Sequence, residues 1–544
     1  MTPLDWVVLA GSLLFIVLYG LYKSRGSNTV NKYLLAGKTM PWYAMALSIM
    51  ATQASAITFI STTGQAFVDG MRFVQFYLGL PLAMVILSAT AVPIFHRTNV
   101  YTAYEYLEQR FDAKTRTAAT IIFLIQRGLA VGLALYAPAI VLSMIFGWPD
   151  QITTLIMGCI VIFYTVIGGI QAVTWTDVQQ MLIIFAGLLI ALGMVLYLLP
   201  PDLSVLDAMR IAGAAGKLNT IDFNPNPNQT YTVWSGLIGG MFLALAYFGT
   251  DQSQVQRYLT GRSIAQSRLS LLFNAAAKVP MQFFILFVGA MVFVFYLFTK
   301  PPLLFEKPAM ERISAAPAYP ALRSAYDQAF DERRAAARAM LQNDFQPQTL
   351  QRFHRSEQAF LSLRRQAGEL AEPGYNDTNY IFLSFVTDYL PAGVVGLIIA
   401  VIFAAAMSTI SAEVNALATV TVIDLYRRHI RKKATDRQYL YAARMATVFW
   451  GLYAVIFAEY GRNLGSLIVA VNMLGSLFYG SMLGVFVVAF LMPRTRGGAA
   501  FYGLLAGEAA ILATWQLTGV SFLWYNFVGC VVTVATAWAV GQQR

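Results

Sequence analysis

Charged residues, histidine and cysteine are all scarce in this chain. Of its 544 residues only 12% are Asp, Glu, Lys or Arg, whereas 58% are hydrophobic and the mean hydropathy is +0.58. A soluble protein of this composition could not cover its apolar surface with polar groups. The composition therefore excludes an ordinary soluble domain and predicts a protein that is solvated by a lipid bilayer.

The few histidines and cysteines exclude further classes. His96, His354 and His429 lie outside the predicted membrane spans, and no grouping of metal ligands or of a nucleophile with a base is present, so we do not expect an enzyme. Cys159 and Cys530 both fall in predicted spans, and no disulfide framework is implied.

Long apolar stretches fill most of the sequence and predict an all-α polytopic membrane protein. The first stretch, Trp6 to Tyr22, has neither a basic leader nor a small-residue cleavage site, so it predicts a retained span and not a signal peptide. The thirteen predicted spans are 5–23, 42–64, 74–95, 119–146, 150–169, 178–199, 232–255, 270–298, 381–411, 440–458, 464–492, 499–516 and 521–540.

The net charge of +11 comes from basic residues in alternate loops. Loops with many Lys and Arg residues face the cytoplasm, so the pattern predicts an N-terminus outside and a C-terminus in the cytoplasm. Nucleic-acid binding would need a soluble basic face, and we expect none. The basic loops are Lys23-Ser24-Arg25, Arg257 to Arg268, Arg427 to Arg437 and Arg494-Thr495-Arg496.

Residues 300–380 interrupt the apolar rhythm with charge-rich sequence. Two stretches, Pro320 to Gln342 and Gln346 to Ala371, have a helical pattern and are separated by Asn343-Asp344-Phe345. Long external segments cross the membrane whatever their charge. We expect an extracellular helical hairpin, and its simplest interpretation is a solvated insertion.

Hydroxyl groups interrupt two of the predicted spans. Ser408 and Thr409 are adjacent, and the carbonyl of Ala405 lies one helical turn before Thr409. Oxygens placed in this way can surround a small hard cation, although Ser and Thr in membrane helices also hydrogen-bond backward to helix carbonyls. In the second span, small and polar residues at 50–58 predict unwound backbone, which is tolerated only where it lines a cavity.

Several motifs in this order resemble the sodium:solute symporter family, whose members carry sugars, proline, sialic acid, iodide and vitamins with sodium. The motifs are N-K-Y-L-L-A-G at 31–37, A-x-x-A-S-A-I-T at 51–58, Y-T-A-Y-E-Y-L-E-Q-R-F at 101–111, G-G-I-Q-A-V-T-W-T-D-V-Q-Q at 168–180, T-D-Q-x-x-V-Q-R at 250–257 and A-A-M-S-T-x-S at 405–411.

The resemblance implies a LeuT-type fold of two five-span inverted repeats with broken first helices. It implies one transporter domain, 1–544, divided as follows: an N-terminal extra span at 1–30, the first repeat at 40–199, the second repeat at 232–492 including the 300–380 insertion, and C-terminal extra spans at 498–544.

The resemblance also implies that sodium is the coupling ion. Its ligands would be the carbonyls of Ala51, Ala54 and Ala405 and the hydroxyls of Ser408 and Thr409.

A second sodium site exists in some members of the family. Asp177 matches its acid, and Ser408 and Ser411 match its hydroxyls, but Ala412 stands where some members have another hydroxyl. Asp177 could instead be an acid that is favoured by the dipole at a helix N-terminus.

Two basic residues lie deep in apolar runs, and a buried cation needs a partner or a function. Lys278 falls where sugar symporters of the family have a lysine that contacts the solute, and Arg127 falls near the arginine with which sialic acid symporters bind a carboxylate. A guanidinium suits bidentate carboxylate binding. Either residue could instead form an internal salt bridge with Glu413 or Asp177.

We expect a symporter that imports a small organic solute with sodium. Ile57 and Ala244 replace polar residues of the sugar binders, which favours an anionic solute such as a carboxylate or sugar acid over a hexose. The alternatives are a symporter for a neutral solute, a channel, or a sensor, which would need a separate partner because the chain ends at Gly541-Gln542-Gln543-Arg544. The sequence does not indicate an oligomeric state. The other residues expected to line the solute site are Gln53, Ser55, Thr58, Gln75, Tyr77, Tyr247 and Asn472.

Overall fold

The computed structural model describes residues 1–23, 29–459 and 465–542, and these residues are almost entirely helical. Within these ranges there is no β-strand, only an isolated bridge between Met40 and Gly261. The predicted all-α class is confirmed. Most of the basic loop Lys23-Ser24-Arg25 and the last two residues lie outside the described residues.

The structure contains the following helices. In chain order they are α1 Pro3–Lys23, α2 Val30–Leu35, α3 Trp42–Gln53, α4 Ala56–Asp69, α5 Leu80–Ala89, α6 Ala91–Thr98, α7 Ala103–Arg110, α8 Ala113–Phe146, α9 Asp150–Tyr197, α10 Val205–Ala214, α11 Gly240–Gly249, α12 Gln252–Leu259, α13 Ile264–Phe298, α14 Lys307–Ser314, α15 Tyr319–Gln342, α16 Pro347–Ala371, α17 Ile381–Tyr389, α18 Val394–Val420, α19 Asp436–Ala458, α20 Leu467–Leu491, α21 Gly497–Leu517 and α22 Leu523–Gln542.

Ten helical stretches of the described residues are long and apolar enough to cross a membrane, judged by their length and hydropathy. Two shorter apolar helices, Gln151–Ile167 and Ser235–Gly249, coincide with further predicted spans. The ten stretches are Pro3–Gly20, Ala56–Thr98, Ala113–Phe146, Gly169–Tyr197, Ile264–Phe298, Val394–Ile430, Asp436–Ala458, Leu467–Leu491, Gly497–Leu517 and Leu523–Gln542.

Helix α9 contains the boundary between two predicted spans, 150–169 and 178–199. Its backbone departs from helical geometry at Gly169, where φ is 58° and ψ is −162°. A Cβ atom on Gly169 would lie 2.6 Å from the ring of Tyr33. Glycine is thus required here both for the backbone conformation and for the close approach of α2.

Two other helical segments are broken in the interior of the protein. Helix α3 ends at Gln53 and α4 begins at Ala56, with extended backbone at Ser55 between them. Helix α11 ends at Gly249 and α12 begins at Gln252, with Asp251 as the N-cap residue. Each break leaves carbonyl and amide groups without helical partners.

Helix α18 lies at the centre of the molecule and is almost entirely buried, as expected for a long and predominantly apolar helix. It packs against α1, α3, α4, α8, α9, α12 and α19. Its polar side chains therefore face other helices, among them the broken pair α3 and α4.

The charge-rich insertion forms the two predicted helices, α15 and α16, which pack against each other. The rings of Tyr326 and Phe360 lie 4.8 Å apart between them. Arg364 donates a hydrogen bond of 2.8 Å to Asp377, which fixes the end of the hairpin to the chain that leads into α17.

Candidate functional site

A cavity of about 120 Å³ lies between the two broken helices and is lined by residues of α3, α4, α8, α11, α18 and α20. Its wall is mostly apolar, with polar side chains on several sides, as in most small-molecule sites. Seven of the predicted solute-site residues line it, namely Gln53, Ser55, Thr58, Tyr77, Arg127, Tyr247 and Asn472.

The other two predicted solute-site residues lie outside the cavity wall. The amide of Gln75 donates 3.0 Å to the carbonyl of Tyr231 and accepts 2.8 Å from the backbone N–H of Asp222, so it holds the loop before α11. The ammonium of Lys278 lies behind the cavity wall, 5.7 Å from the ring centroid of Tyr77. Among the described residues it has no hydrogen-bond partner.

The break after α3 brings hydroxyl groups to the end of that helix. Thr409 of α18 donates 3.1 Å to the carbonyl of Thr52, and Thr58 of α4 donates 3.0 Å to the carbonyl of Gln53. These hydroxyls satisfy carbonyls that the helix end leaves free. The predicted unwinding of this span is therefore present, and Thr409 joins α18 to it.

The five predicted sodium ligands are all buried, with Ser408 and Thr409 exposed by 0% and 5%. Carbonyl and hydroxyl oxygens are hard, neutral donors that suit a small monovalent cation. The described residues contain no group of three or more His, Cys, Asp or Glu side chains that could hold a metal. The predicted set of five ligands consists of such neutral oxygens. The other three ligands are Ala51, Ala54 and Ala405, each 0% exposed.

The residues of the predicted second sodium site form a hydrogen-bonded group. Asp177 accepts 2.5 Å from Ser48 and also accepts from Ser408, and a guanidinium nitrogen of Arg257 lies 3.7 Å from its carboxylate. Ser411 donates 3.0 Å to the carbonyl of Ser408.

The alternative explanation of Asp177 as a helix N-terminal acid is wrong. The backbone break in α9 is at Gly169, and Asp177 lies eight residues further along, about two turns inside the helix. The helix dipole acts only on the first turn. Asp177 is held instead by its contacts with Ser48, Ser408 and Arg257.

Arg127 forms the centre of a buried ionic cluster. Its Nη1 donates 2.7 Å to Glu413, and its Nη2 donates to Asp251 and, over 2.7 Å, to the hydroxyl of Tyr479. Tyr479 in turn donates 3.1 Å to Asp251. The internal salt bridge considered for Arg127 is therefore present, with Glu413 as one partner and Asp251 as the second.

Sequence reasoning did not single out Asp251 and Tyr479 as partners. Asp251 is part of the T-D-Q motif at 250–257 and ends the apolar run of α11, which is the one signal that could have suggested a functional acid. Tyr479 is the one tyrosine of α20, whose other aromatic residues are phenylalanines, but the sequence does not show which acid its hydroxyl contacts. It contacts the ring of Tyr247 at a centroid distance of 6.0 Å.

Comparison with known proteins agrees with this architecture. The model of the sodium:solute symporter family matches residues 33–311 and 361–507, so the chain belongs to that family. It is 28% identical over 511 residues to the human sodium-coupled monocarboxylate transporter 1, covering 93% of this chain and 72% of the relative. It is 27% identical to the human sodium/iodide cotransporter and 28% to the rabbit sodium-dependent multivitamin transporter, covering 91% and 94% of this chain and 66% and 70% of those relatives.

Two solved structures share the fold. A Na⁺-coupled sialic acid symporter, solved in a substrate-bound outward-open state, has a TM-score of 0.77 at 24% identity, covering 100% of this chain and 98% of that one. A nucleobase-cation-symport-1 family transporter in a closed conformation has a TM-score of 0.52 at 11% identity, covering 95% of this chain and 96% of that one. The LeuT-type class is confirmed.

The protein is thus an integral membrane transporter and not an enzyme. Its partners are sodium, which is the coupling ion, a small-molecule solute and the lipid bilayer.

Proposed function

We propose that this protein imports a small organic anion, a carboxylate or sugar acid, together with sodium across the cytoplasmic membrane by alternating access. The observation that carries the proposal is a balance of buried charge around the cavity and the sodium ligands. It is supported by the position of a helix N-terminus at the same cavity.

In their ordinary ionisation states, six buried side chains around the cavity and the predicted sodium ligands have charges that cancel. Three are positive and three are negative, and all lie in the interior at 3% exposure or less. One bound sodium adds a positive charge, and an anionic solute restores the balance. Net charge in a membrane interior is costly, so sodium and a monovalent anion favour each other's binding. The six residues are Arg127, Arg257, Lys278, Asp177, Asp251 and Glu413.

The start of α4 supports the same solute. Ser55 is its N-cap residue and, with Thr58 of its first turn, lines the cavity. The N-terminus of a helix attracts an anion through its free N–H groups and its dipole. In transporters with broken helices, such half-helix ends face anionic solute groups.

Thr409 connects the two ligands. It belongs to the proposed sodium set, contacts the end of α3 at Thr52 and lines the solute cavity. Sodium that binds Thr409 together with carbonyls of α3 would hold the broken helix against α18 and complete the cavity wall. The outward-open state would then be the one that binds solute with higher affinity.

The solutes in the names of two relatives are consistent with an anionic solute, since monocarboxylates and iodide are anions. A neutral solute such as a sugar is the second candidate, because Arg127 is already paired with two carboxylates. A sensor that works with a separate partner would bind solute without carrying it. Measured accumulation of solute separates the transporter from this third candidate.

The orientation and the repeat boundaries belong to the same proposal. The N-terminus would lie outside, the C-terminus and the basic loops inside, and the 300–380 hairpin outside. The repeats would be 40–199 and 232–492, with 1–30 and 498–544 as flanking spans.

The test is uptake by purified protein in proteoliposomes. A thermal-shift screen of carboxylates, sugar acids, sugars, amino acids and vitamins, with and without sodium, first identifies ligands, because a ligand that binds the folded state stabilises it. The stabilised compounds are then measured in uptake with an inward sodium gradient and with potassium as the control. We expect sodium-dependent accumulation of an anion. Accumulation of neutral compounds alone would contradict the proposed solute class.

The dependence of uptake on the membrane potential gives the number of sodium ions carried with each solute molecule. One sodium with a monovalent anion moves no net charge, so only the sodium gradient drives accumulation, by about 1.4 kcal/mol for a tenfold gradient. A second sodium would add a charge and about 2.3 kcal/mol per 100 mV. Clamping the potential with valinomycin and potassium distinguishes the two cases.

A further inference from the structure

Glu413 has one carboxylate oxygen that the protein does not use. Its Oε1 accepts the hydrogen bond from Arg127, but its Oε2 is buried and, among the described residues, has no hydrogen-bond partner. Glu413 lines the solute cavity and is 3% exposed. An unpaired buried carboxylate oxygen costs free energy unless a donor reaches it.

The second acid of the cluster, Asp251, does not reach the cavity. It receives hydrogen bonds from the N–H and hydroxyl of Ser253, besides those from Arg127 and Tyr479. Asp251 thus binds the guanidinium of Arg127 on the side away from the cavity, while Glu413 lies on the cavity side.

Three amides of the cavity wall give an amide hydrogen to the protein. Asn472 donates 2.7 Å to the carbonyl of Ile468, Gln126 donates to the hydroxyl of Tyr479, and Gln53 donates to the carbonyl of Ile49. Each retains an oxygen that can accept a hydrogen bond. Asn472 and Gln126 each also keep a second N–H, so the polar wall offers acceptors as well as donors.

We propose that Glu413 selects the solute by accepting a hydrogen bond from a hydroxyl group, so that the solute is a hydroxylated carboxylate and not a plain carboxylate. The inference rests on the proposed transport of an anion and names its class. The carboxylate of such a solute would lie at the N-terminus of α4 and the bound sodium, and its hydroxyl would reach Oε2 of Glu413.

The test compares two three-carbon acids, glycerate and propionate, which differ only in two hydroxyl groups. A hydrogen bond to a charged acceptor is worth enough to change binding by about tenfold or more. We expect the wild-type protein to take up glycerate with kcat/KM at least about tenfold above that for propionate, both in the presence of sodium.

Two variants and a control assign this preference to Glu413. Glu413→Gln keeps the size and one acceptor but loses the charge, so the preference should fall several-fold. Glu413→Ala should abolish it. Glu508 is the matched control, because it is a carboxyl of α21 that accepts 2.5 Å from Ser481 away from the cavity. Glu508→Gln should keep the wild-type preference.

The outcomes separate the two proposals. Sodium-dependent uptake of both acids with no preference, or a preference that survives in Glu413→Ala, overturns the role of Glu413 and leaves anion transport intact. Sodium-dependent uptake of neither acid, with uptake of a neutral compound, overturns the proposed function and with it this inference. Melting curves of each variant establish that it is folded.

Discussion

Arg127 donates a hydrogen bond of 2.7 Å from Nη1 to Oε1 of Glu413 and so joins α8 to α18 in the interior of the protein. The two residues are 286 positions apart in the chain. The guanidinium also lies 5.5 Å from the ring centroid of Tyr247, which forms another part of the cavity wall. The Arg127 side chain thus connects helices that would move relative to one another during alternating access.

Removing Arg127 should destabilise the protein strongly. Arg127→Met leaves the carboxylates of Asp251 and Glu413 buried without their cation, and breaking a buried pair in this way costs about 3–5 kcal/mol. The measurement is thermal unfolding of the purified protein in detergent. The control is Arg334→Met, which breaks an exposed pair with Asp331 and should cost less than about 1 kcal/mol. Equal melting temperatures for the two variants would contradict the role of the cluster.

Loss of the two hydroxyls of α18 should weaken the response to sodium. Ser408→Ala combined with Thr409→Val removes two of five proposed ligands with little change in size. We expect the sodium concentration for half-maximal uptake to rise by about tenfold or more, a cost of at least about 1.4 kcal/mol. Thr447→Val is the control, because that buried hydroxyl donates 2.9 Å to a carbonyl of α19. Undiminished sodium-stimulated uptake in the double variant would refute the assignment.

Gly64 of α4 has no room for a side chain. A Cβ atom there would lie 1.9 Å from the carbonyl oxygen of Thr378, which belongs to the segment between the hairpin and α17. Gly64→Ala has to push this backbone away, and overpacking of this kind costs about 1–3 kcal/mol. Gly11→Ala should be harmless, since nothing lies within 4 Å of its Cβ position. A Gly64→Ala protein that melts like Gly11→Ala would show that the segment yields freely.

Lys217 should make the stability depend on pH. It lies in the loop before α11, outside the membrane spans, and burial lowers the pKa of its ammonium to about 8 despite the nearby carboxylates of Glu357 and Asp69. In the unfolded chain, the Lys217 ammonium keeps its proton up to about pH 10.4. Between pH 8 and that value the unfolded state binds more protons than the folded state, so stability rises with pH.

Melting temperatures measured from pH 7 to pH 10 test this expectation. The wild-type curve should gain stability relative to Lys217→Gln as the pH rises, because only the wild type loses the cost of a buried ammonium. The exposed Lys300 provides a control, since its ion pair with Asp327 is largely solvated. Parallel curves for the wild type and Lys217→Gln would contradict the assignment.

The local features of this site were predictable from the sequence. The pairing of residues that are far apart in the chain was not. The break after Gln53 was predictable because small and polar residues interrupt an apolar helix there. The ionic cluster was only partly predictable, because Asp251 lies 124 residues from Arg127 and its role depends on the break that ends α11. Gln75 was predicted to line the solute site together with Gln53, but its amide binds the loop before α11, outside the cavity.

The interruption at Ala54 has a consequence for genetic analysis. If the ion is held as proposed, three of its five contacts come from peptide groups of Ala51, Ala54 and Ala405, which no side-chain replacement can delete. A mutational scan would then detect the metal-binding chemistry only at Ser408 and Thr409, and would report the alanines as positions that tolerate small residues alone. Most of the ion's ligands would therefore be set by the conformation of the backbone. A comparison of residue types does not reveal ligands of this kind.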